Sequence, residues 1–244
     1  MEEPLDFLSL FEESFRILKS CWLKVLCATV IFYGPFFIFS SLLNAQALFS
    51  ELNQPGLFLS FGFLMSGMIL AILGFSAHVF QNLAIAFFVS QSVQGEALAL
   101  KETLKKTLKY LWVAIGTSLL GWSMILGWSL LFLVPGLIYS VYYAFSLYAV
   151  ALRAQSPKNA LKYSRSLVQG RWWRVFGLMI LLSAAFFILS AASGIIFKIF
   201  ALFFPNPAFL GPLNFLVGRI LDSFLKVAGV VAFLRLDRSK SLIV

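Results

Sequence analysis

The sequence predicts an all-α protein, a polytopic membrane bundle of six transmembrane helices with amphipathic interfacial helices on its cytoplasmic side. Three observations carry this prediction. Hydrophobic residues make up 61% of the 244 residues and charged residues only 12%, whereas a soluble domain has about 25% charged residues. The apolar stretches are long enough for about six spans of about 20 residues each. The basic residues are concentrated in a few segments, which indicates a single orientation in the membrane.

The distribution of positive charge is that of a membrane topology and not of a nucleic-acid surface. The chain carries a net charge of +9, and most of its cations lie in four segments, 16–24, 101–109, 153–174 and 235–240. The stretch 43–65, in contrast, contains no Lys or Arg. Cytoplasmic loops of membrane proteins are enriched in Lys and Arg. We therefore expect both termini in the cytoplasm and no nucleic-acid partner.

Hydrophobic periodicity places all elements in a single integral membrane domain over residues 1–244. It predicts an amphipathic interfacial helix over 7–20 and basic interfacial helices over 98–109 and 157–169. The spans are predicted at about 25–43, 65–89, 111–133, 137–152, 175–197 and 213–234.

The apolar stretch 57–93 is longer than one span requires. As a single helix it would measure about 55 Å, whereas the hydrocarbon core is about 30 Å thick. Two arrangements satisfy this length: one bent helix, or a short interfacial or re-entrant piece at about 57–64 followed by a span. We favour the second.

The most informative stretch runs from Val134 to Phe176 and contains a Pro-Gly turn, a span, a basic helix and a Trp-Arg group. Ser156 and Pro157 are residue types preferred at a helix N-cap and first position, and Gly170 is typical of a helix end. The helix between them has one apolar and one basic face. Membrane anchoring and recognition of anionic lipid headgroups both explain this surface. The residues expected to contact lipid or the interface are Lys158, Lys162, Arg165, Arg171, Trp172, Trp173 and Arg174.

This stretch resembles the glycerophosphodiester phosphodiesterase membrane-domain family and its stand-alone relatives, which are multi-spanning proteins of the bacterial inner membrane. The matching residues are Pro135, Gly136, Ala160, Leu161, Ser164, Leu167, Gly170, Arg171, Trp172, Trp173 and Arg174. A weaker similarity lies in the tail, 232–238. The resemblance implies a location in the bacterial inner (plasma) membrane. It also implies a membrane domain without phosphodiesterase chemistry, since a separate soluble domain carries that chemistry in the family.

A second candidate site lies within the predicted spans. His78 falls in the second span, and Arg219, Asp222 and Lys226 share one face of the sixth at i, i+3 and i+7. A charge at the centre of a bilayer costs about 2.5 to 3.5 kcal/mol. We therefore expect Asp222 to pair with both neighbours on a face that points inward. That face could be a substrate or ion path, a pocket for an anionic headgroup, or an ion network that locks the bundle. His78 could equally be a neutral ring bonded to a neighbouring helix.

No arrangement of residues in the sequence points to catalysis. The chain has one histidine, its predicted spans contain Asp222 as the sole carboxylate well inside, and no phosphate-binding glycine loop or nucleophile motif occurs. Cys21 and Cys27 fit neither a metal pair nor a disulfide framework. We therefore expect no enzyme activity, no cofactor and no metal.

The sequence favours a non-enzymatic protein that organises membrane lipids, through their anionic headgroups, or partner proteins by means of its basic cytoplasmic helices. Other membrane proteins or a second copy of the chain are the protein partners expected. The alternative is a transporter or channel that uses Arg219, Asp222 and Lys226.

A weak internal repeat supports the predicted topology. Residues 14–24 align without a gap on 164–174, with Trp22 opposite Trp172, and 104–112 fits more loosely. The chain would then be three copies of an interfacial helix followed by two spans, with all three interfacial helices on one side.

Overall fold

The computed structural model describes residues 6–51, 57–95, 100–203 and 210–241. These ranges are helical throughout apart from short turns and contain no strand, which confirms the all-α class. Within them, four segments are long and apolar enough to cross a membrane, namely Leu64–Gln94, Leu100–Leu131, Leu133–Arg153 and Trp172–Ala201. This composition is compatible with a polytopic membrane protein.

The helix at the centre of the bundle is α2. The helix bounds are α1 Phe7–Glu51, α2 Leu57–Gln94, α3 Leu100–Leu131, α4 Leu133–Tyr142, α5 Ser146–Arg153, α6 Pro157–Val168, α7 Trp172–Ala201 and α8 Leu210–Ser241. α2 packs against α1, α3, α5 and α8. Every residue from Val79 to Val89 is therefore buried, as expected of a helix that is apolar on all sides.

Two of the predicted interfacial helices are not separate elements. Residues 7–20 are the first turns of α1, and 100–109 are the first turns of α3, while 98 and 99 lie outside the described residues. Neither segment contains a Gly or Pro before the apolar stretch begins, so nothing interrupts the helix. The third, predicted over 157–169, does form its own helix. It is α6, which begins at Pro157 and is followed by Gly170 with a φ of 82°, a conformation that favours glycine.

The structure of α2 shows which of the two arrangements residues 57–93 adopt, one helix or a re-entrant piece followed by a span. It is one continuous helix of 38 residues, with no separate re-entrant piece, so the favoured arrangement is wrong. At 1.5 Å per residue it is about 57 Å long, well above the roughly 30 Å of a hydrocarbon core.

The predicted fourth span, 137–152, is in fact two helices and begins earlier. Phe132, in an extended conformation, is the single residue between α3 and α4. The close approach of α4 to the end of α3 requires glycine at position 136. A Cβ there would lie 1.9 Å from Ser129 Oγ and 2.9 Å from Ser129 Cβ. Pro135 lies in the first turn of α4, where a missing N–H leaves no helical hydrogen bond unmade.

The break between α4 and α5 is closed by a residue of α6. Ser164 Oγ donates a hydrogen bond to the carbonyl of Tyr142 (2.7 Å) and accepts one from the N–H of Phe145 (3.1 Å). Ser164 is fully buried. Buried backbone groups need hydrogen-bond partners, so this hydroxyl takes the place of the helical partner that the break removes.

Candidate functional site

Polar side chains of α1, α2 and α8 form a connected network inside the bundle, here called the polar cluster. Its members are Thr29, His78, Gln81, Arg219, Asp222, Ser223 and Lys226.

Lys226 is the centre of the polar cluster. Its Nζ lies 2.7 Å from Asp222 Oδ2, 2.7 Å from Gln81 Oε1 and 3.4 Å from His78 Nδ1. An ammonium group has three donors and no acceptor, so His78 Nδ1 accepts and the ring is neutral. The structure therefore brings three of the four predicted intramembrane residues, His78, Asp222 and Lys226, into direct contact.

Gln81 connects Lys226 to the hydroxyl groups of Thr29 and Ser223, which were not among the predicted site residues. Its Nε2 donates to Ser223 Oγ (2.6 Å) and Thr29 Oγ1 (3.2 Å), and the two hydroxyls are 3.0 Å apart. All three residues are buried. A buried amide requires partners, so the signal that could have selected Gln81 is its position in an otherwise apolar stretch, three residues after His78.

Arg219 is only loosely paired with Asp222. The distance from Arg219 Nη1 to Asp222 Oδ2 is 4.0 Å, and the guanidinium instead lies over the rings of Tyr33 (5.2 Å) and Phe215 (4.9 Å). Aromatic faces attract cations. Asp222 therefore pairs with both neighbours on its helix, as predicted, and Lys226 is the closer of the two partners.

A pocket of about 430 Å³ lies beside the polar cluster, between α5, α7 and α8. Asp222 and Lys226 form its charged wall, and their side chains are 21% and 10% exposed. Most of the remaining lining is apolar, including Phe145, Leu178, Leu182, Phe186 and Leu225. The charged pair is thus reached through an apolar pocket rather than through a polar channel.

The last turns of α8 join three other helices at one end of the bundle, here called the basic end. Asp237 is buried and pairs with Arg153 at the end of α5 (2.5 Å), and it accepts a hydrogen bond from the hydroxyl of Tyr163 on α6. Arg235 pairs with Glu13 of α1 (2.6 Å). Asp237 was not among the predicted site residues, although the run 232–238 contains it.

Asp237 changes the acidity of Tyr163. Burial, followed by the hydrogen bond to Asp237 and the negative charge of that carboxylate, raises the pKa of Tyr163 to about 12. The phenol therefore stays protonated and donating over the physiological range.

The basic segment of α3 lies at the same end. The side chains of Thr103 and Gln91 are hydrogen bonded at 3.1 and 3.2 Å, which fixes the start of α3 against the end of α2. A second pocket, of about 210 Å³, is lined jointly by the last turns of α2, α5 and α8. The exposed cations Lys101, Lys105 and Lys109 therefore belong to the basic end.

Three of the predicted contact residues lie on the outer face of α6. Lys158, Lys162 and Arg165 are exposed, and the opposite face of α6 is buried against the bundle, as its periodicity predicted. The Arg165 guanidinium lies 5.9 and 5.5 Å from the ring centres of Tyr139 and Tyr142.

The other four predicted contact residues divide into two kinds. Arg171 donates to Ser239 of α8 (2.6 Å), and Trp172 stacks on Phe176 (4.9 Å), so both stabilise contacts within the protein. Trp173 is 77% exposed and Arg174 is also exposed. These two extend the outward-facing surface of α6 to the start of α7.

Both regions offer groups that can bind a ligand by charge and by hydrogen bonds. In the described ranges, no three His, Cys, Asp or Glu side chains come close enough to hold a metal ion. The basic end offers exposed cations, and the polar cluster offers a charged pair beside an apolar pocket.

Comparison with known proteins identifies a family but no characterised relative. No curated protein and no solved structure matches the chain. One family model matches residues 56–235, which contain α2 to α7 and most of α8, and therefore the pocket and all of the polar cluster except Thr29. Because this match covers well over half of the sequence, the chain belongs to the family described as Domain of unknown function (DUF7847).

Proposed function

We propose that the protein is a non-enzymatic, six-span protein of the bacterial inner membrane that organises anionic lipids through its basic end. In this proposal α1 and α8 supply the first and sixth spans, beside the four segments named above. α1 has 45 residues and α8 has 32, and both exceed the roughly 20 residues that a span needs. The resemblance of residues 134–176 to membrane domains of glycerophosphodiester phosphodiesterases supports a membrane role without their chemistry.

The observation that carries the proposal is the convergence of exposed cations at one end. Lys101, Lys105, Lys158, Lys162 and Arg174 are all exposed there. Each cation near an anionic leaflet contributes about 1 kcal/mol. The positive-inside rule places this end, with the start of α1 and the end of α8, at the cytoplasmic face.

A charge-removal series tests this role. The triple variant Lys158→Gln, Lys162→Gln, Arg165→Gln is expected to lower the preference for phosphatidylglycerol over phosphatidylcholine about a hundredfold, and Lys162→Gln alone about fivefold. The measurement is the composition of lipids that remain bound to the purified protein. The series removes residues whose polar groups face outward, so folding should be retained.

The matched control is Lys198→Gln, which removes an exposed cation from the last turn of α7, at the other end of that helix. It is expected to leave the lipid preference unchanged. If the triple variant retains as much phosphatidylglycerol and cardiolipin as the unaltered protein, the proposed role of the basic end is wrong.

A transporter or channel is the second candidate, and the pocket that reaches Asp222 and Lys226 favours it. Charged residues within spans commonly mark substrate or ion pathways. Solute flux into proteoliposomes that is unchanged by Asp222→Asn and by Arg219→Ala would count against this candidate.

A further inference from the structure

We propose that the pocket between α5, α7 and α8 binds a single-chain neutral amphiphile with a hydroxyl-bearing head, such as a monoacylglycerol, and that Asp222 accepts hydrogen bonds from that head. This pocket is separate from the basic end. Its assignment rests on the proposed placement of α8 as a membrane span, but not on the lipid-organising role, and it would remain if that role were wrong.

The first argument is the position of the pocket. Asp222 and Lys226 on its wall precede Asp237 of the basic end by several helical turns. The axial distance from Lys226 to Asp237 is about 16 Å at 1.5 Å per residue, which is about half of a 30 Å hydrocarbon core. Phe187, which also lines the pocket, is 70% exposed. At this depth the pocket opens toward acyl chains, so its ligand comes from the bilayer.

The second argument is the shape and lining of the pocket. Its volume of about 430 Å³ lies in the lower part of the range of about 300 to 1,000 Å³ that is usual for small-molecule sites. That size favours one acyl chain over two. Leu178, Leu182 and Phe186 of α7 face Leu225 of α8 across it, and such a lining matches a hydrocarbon chain.

The third argument is that the Asp222 side chain is partly exposed to this pocket. Its exposed fraction is 21%, and the pocket that it lines is apolar. An ionised group left against hydrocarbon is costly unless it is hydrogen bonded. A carboxylate has about four acceptor positions, and the contacts of Asp222 with Lys226 and Arg219 are both made by Oδ2. The ligand head is therefore expected to supply donors.

The hydrogen bonds of Lys226 indicate which charge the head group of the ligand carries. Two cations and one carboxylate give the polar cluster a net positive charge, which by itself would favour an anion. However, the three donors of Lys226 already face Asp222, Gln81 and His78, and a second anion would lie next to Asp222. A cationic head would add to the net positive charge. A neutral head with hydroxyl donors avoids both conflicts. Tyr148 and Ser183, which also line this pocket, carry hydroxyl groups that could bond such a head.

The test uses the full chain in phosphatidylcholine nanodiscs and a photoactivatable monopalmitoylglycerol. We expect labelling on α7 or α8 at the pocket. Unlabelled monopalmitoylglycerol should compete about tenfold better than methyl palmitate, which lacks donors, and about tenfold better than hexadecyl phosphate, which is anionic. Equal or better competition by methyl palmitate or by hexadecyl phosphate would overturn the assignment of the head group.

Two neighbouring leucines locate the site. Leu182→Trp fills the pocket and should abolish labelling, whereas Leu181→Trp, at a position that is 42% exposed and does not line the pocket, should leave labelling intact. Equal labelling of these two variants would show that the amphiphile binds elsewhere.

Asp222→Asn tests the acceptor directly. It should weaken competition by monopalmitoylglycerol about tenfold and leave that by methyl palmitate unchanged, because a hydrogen bond to a charged acceptor is lost. Unchanged competition by monopalmitoylglycerol would refute the role of Asp222. If Asp222→Asn does not fold, the comparison of ligands on the unaltered protein still decides the nature of the head.

Discussion

Gln81 illustrates, at the scale of single residues, what periodicity can and cannot predict. The sequence places Gln81 near His78 and places Lys226 on the face of Asp222. The partners of Gln81, Thr29 and Ser223, are 52 and 142 positions away in the chain. Local patterns carry no information on which helices become neighbours, so this network could not be predicted. The sequence could, however, have predicted that a buried amide at position 81 needs hydrogen-bond partners.

Gly136 provides a residue-scale prediction. Gly136→Ala is expected to destabilise the protein by about 1 to 3 kcal/mol, because the added methyl group would overlap Ser129 in a closely packed turn. The measurement is thermal unfolding in detergent. Gly127→Ala is the matched control, since a Cβ there meets open space, and it should be neutral or slightly stabilising. Equal loss of stability in the two variants would contradict the close approach at position 136.

The raised pKa of Tyr163 predicts that the stability of the folded protein decreases at alkaline pH. Its pKa in the folded protein, about 12, is above the ordinary value of 10.0, so the folded state holds this proton more tightly. The resulting stability is fully present below pH 10 and is lost as the pH rises toward 12. Tyr163→Phe should lower stability near neutral pH, and its deficit should shrink between pH 10 and 12. A titration of phenolate absorbance should lose its component near pH 12.

The control for this titration is Tyr142→Phe, which keeps an aromatic ring beside Arg165. A deficit in Tyr163→Phe that stays constant through pH 12 would mean that Tyr163 does not titrate as inferred.

At the scale of elements, the sequence predicted that the chain is helical, but it predicted less well where each helix begins and ends. The start and end of α6 follow from Pro157 and Gly170, which are strong local signals. The break between α4 and α5 has no such signal, because residues 143–145 contain neither Gly nor Pro. The break is instead stabilised from outside the segment, by the hydroxyl group of Ser164. The merging of 7–20 with the following helix reflects the opposite case, in which no breaker was present.

The role of Ser164 at the break between α4 and α5 predicts how a substitution in α6 affects stability. Ser164→Ala would leave the buried carbonyl of Tyr142 and N–H of Phe145 without their partner, which should cost about 1 to 3 kcal/mol. The measurement is the free energy of unfolding in detergent. Ser166→Ala, in the same helix, removes only solvent-exposed hydrogen bonds, among them one from Lys240, and should change it much less, by about 0.5 kcal/mol. If the two alanine variants were equally stable, Ser164 would not be what closes the break.

At the scale of the whole molecule, the distribution of charge predicted which segments come together. The basic segments of the sequence meet at one end, where α8 contacts both α1 and α6. Successive helices pack extensively, α1 with α2, α3 with α4, and α7 with α8, but α1 with α8 and α2 with α3 pack as extensively. A common end for all the basic segments is what a threefold repeat requires. Which side pockets form between the pairs depends on side-chain packing and could not be predicted.

This arrangement predicts the accessibility of the two ends. In a chain with Cys21 and Cys27 changed to Ser, Lys105→Cys and Lys162→Cys should react with a membrane-impermeant maleimide from the same side. Lys198→Cys should react from the opposite side. The measurement is labelling in right-side-out and inverted vesicles. Reaction of positions 105 and 162 from opposite sides would contradict the proposed topology.

Ser164 has one more consequence. Phe145, whose N–H donates to it at the break, also lines the pocket that Asp222 and Lys226 line. The outer surface of α6 carries Lys158 and Lys162, and its inner surface makes this contact. In the proposed topology, a displacement of α6 relative to the leaflet would move Phe145 through this hydrogen bond and so change the shape of the pocket.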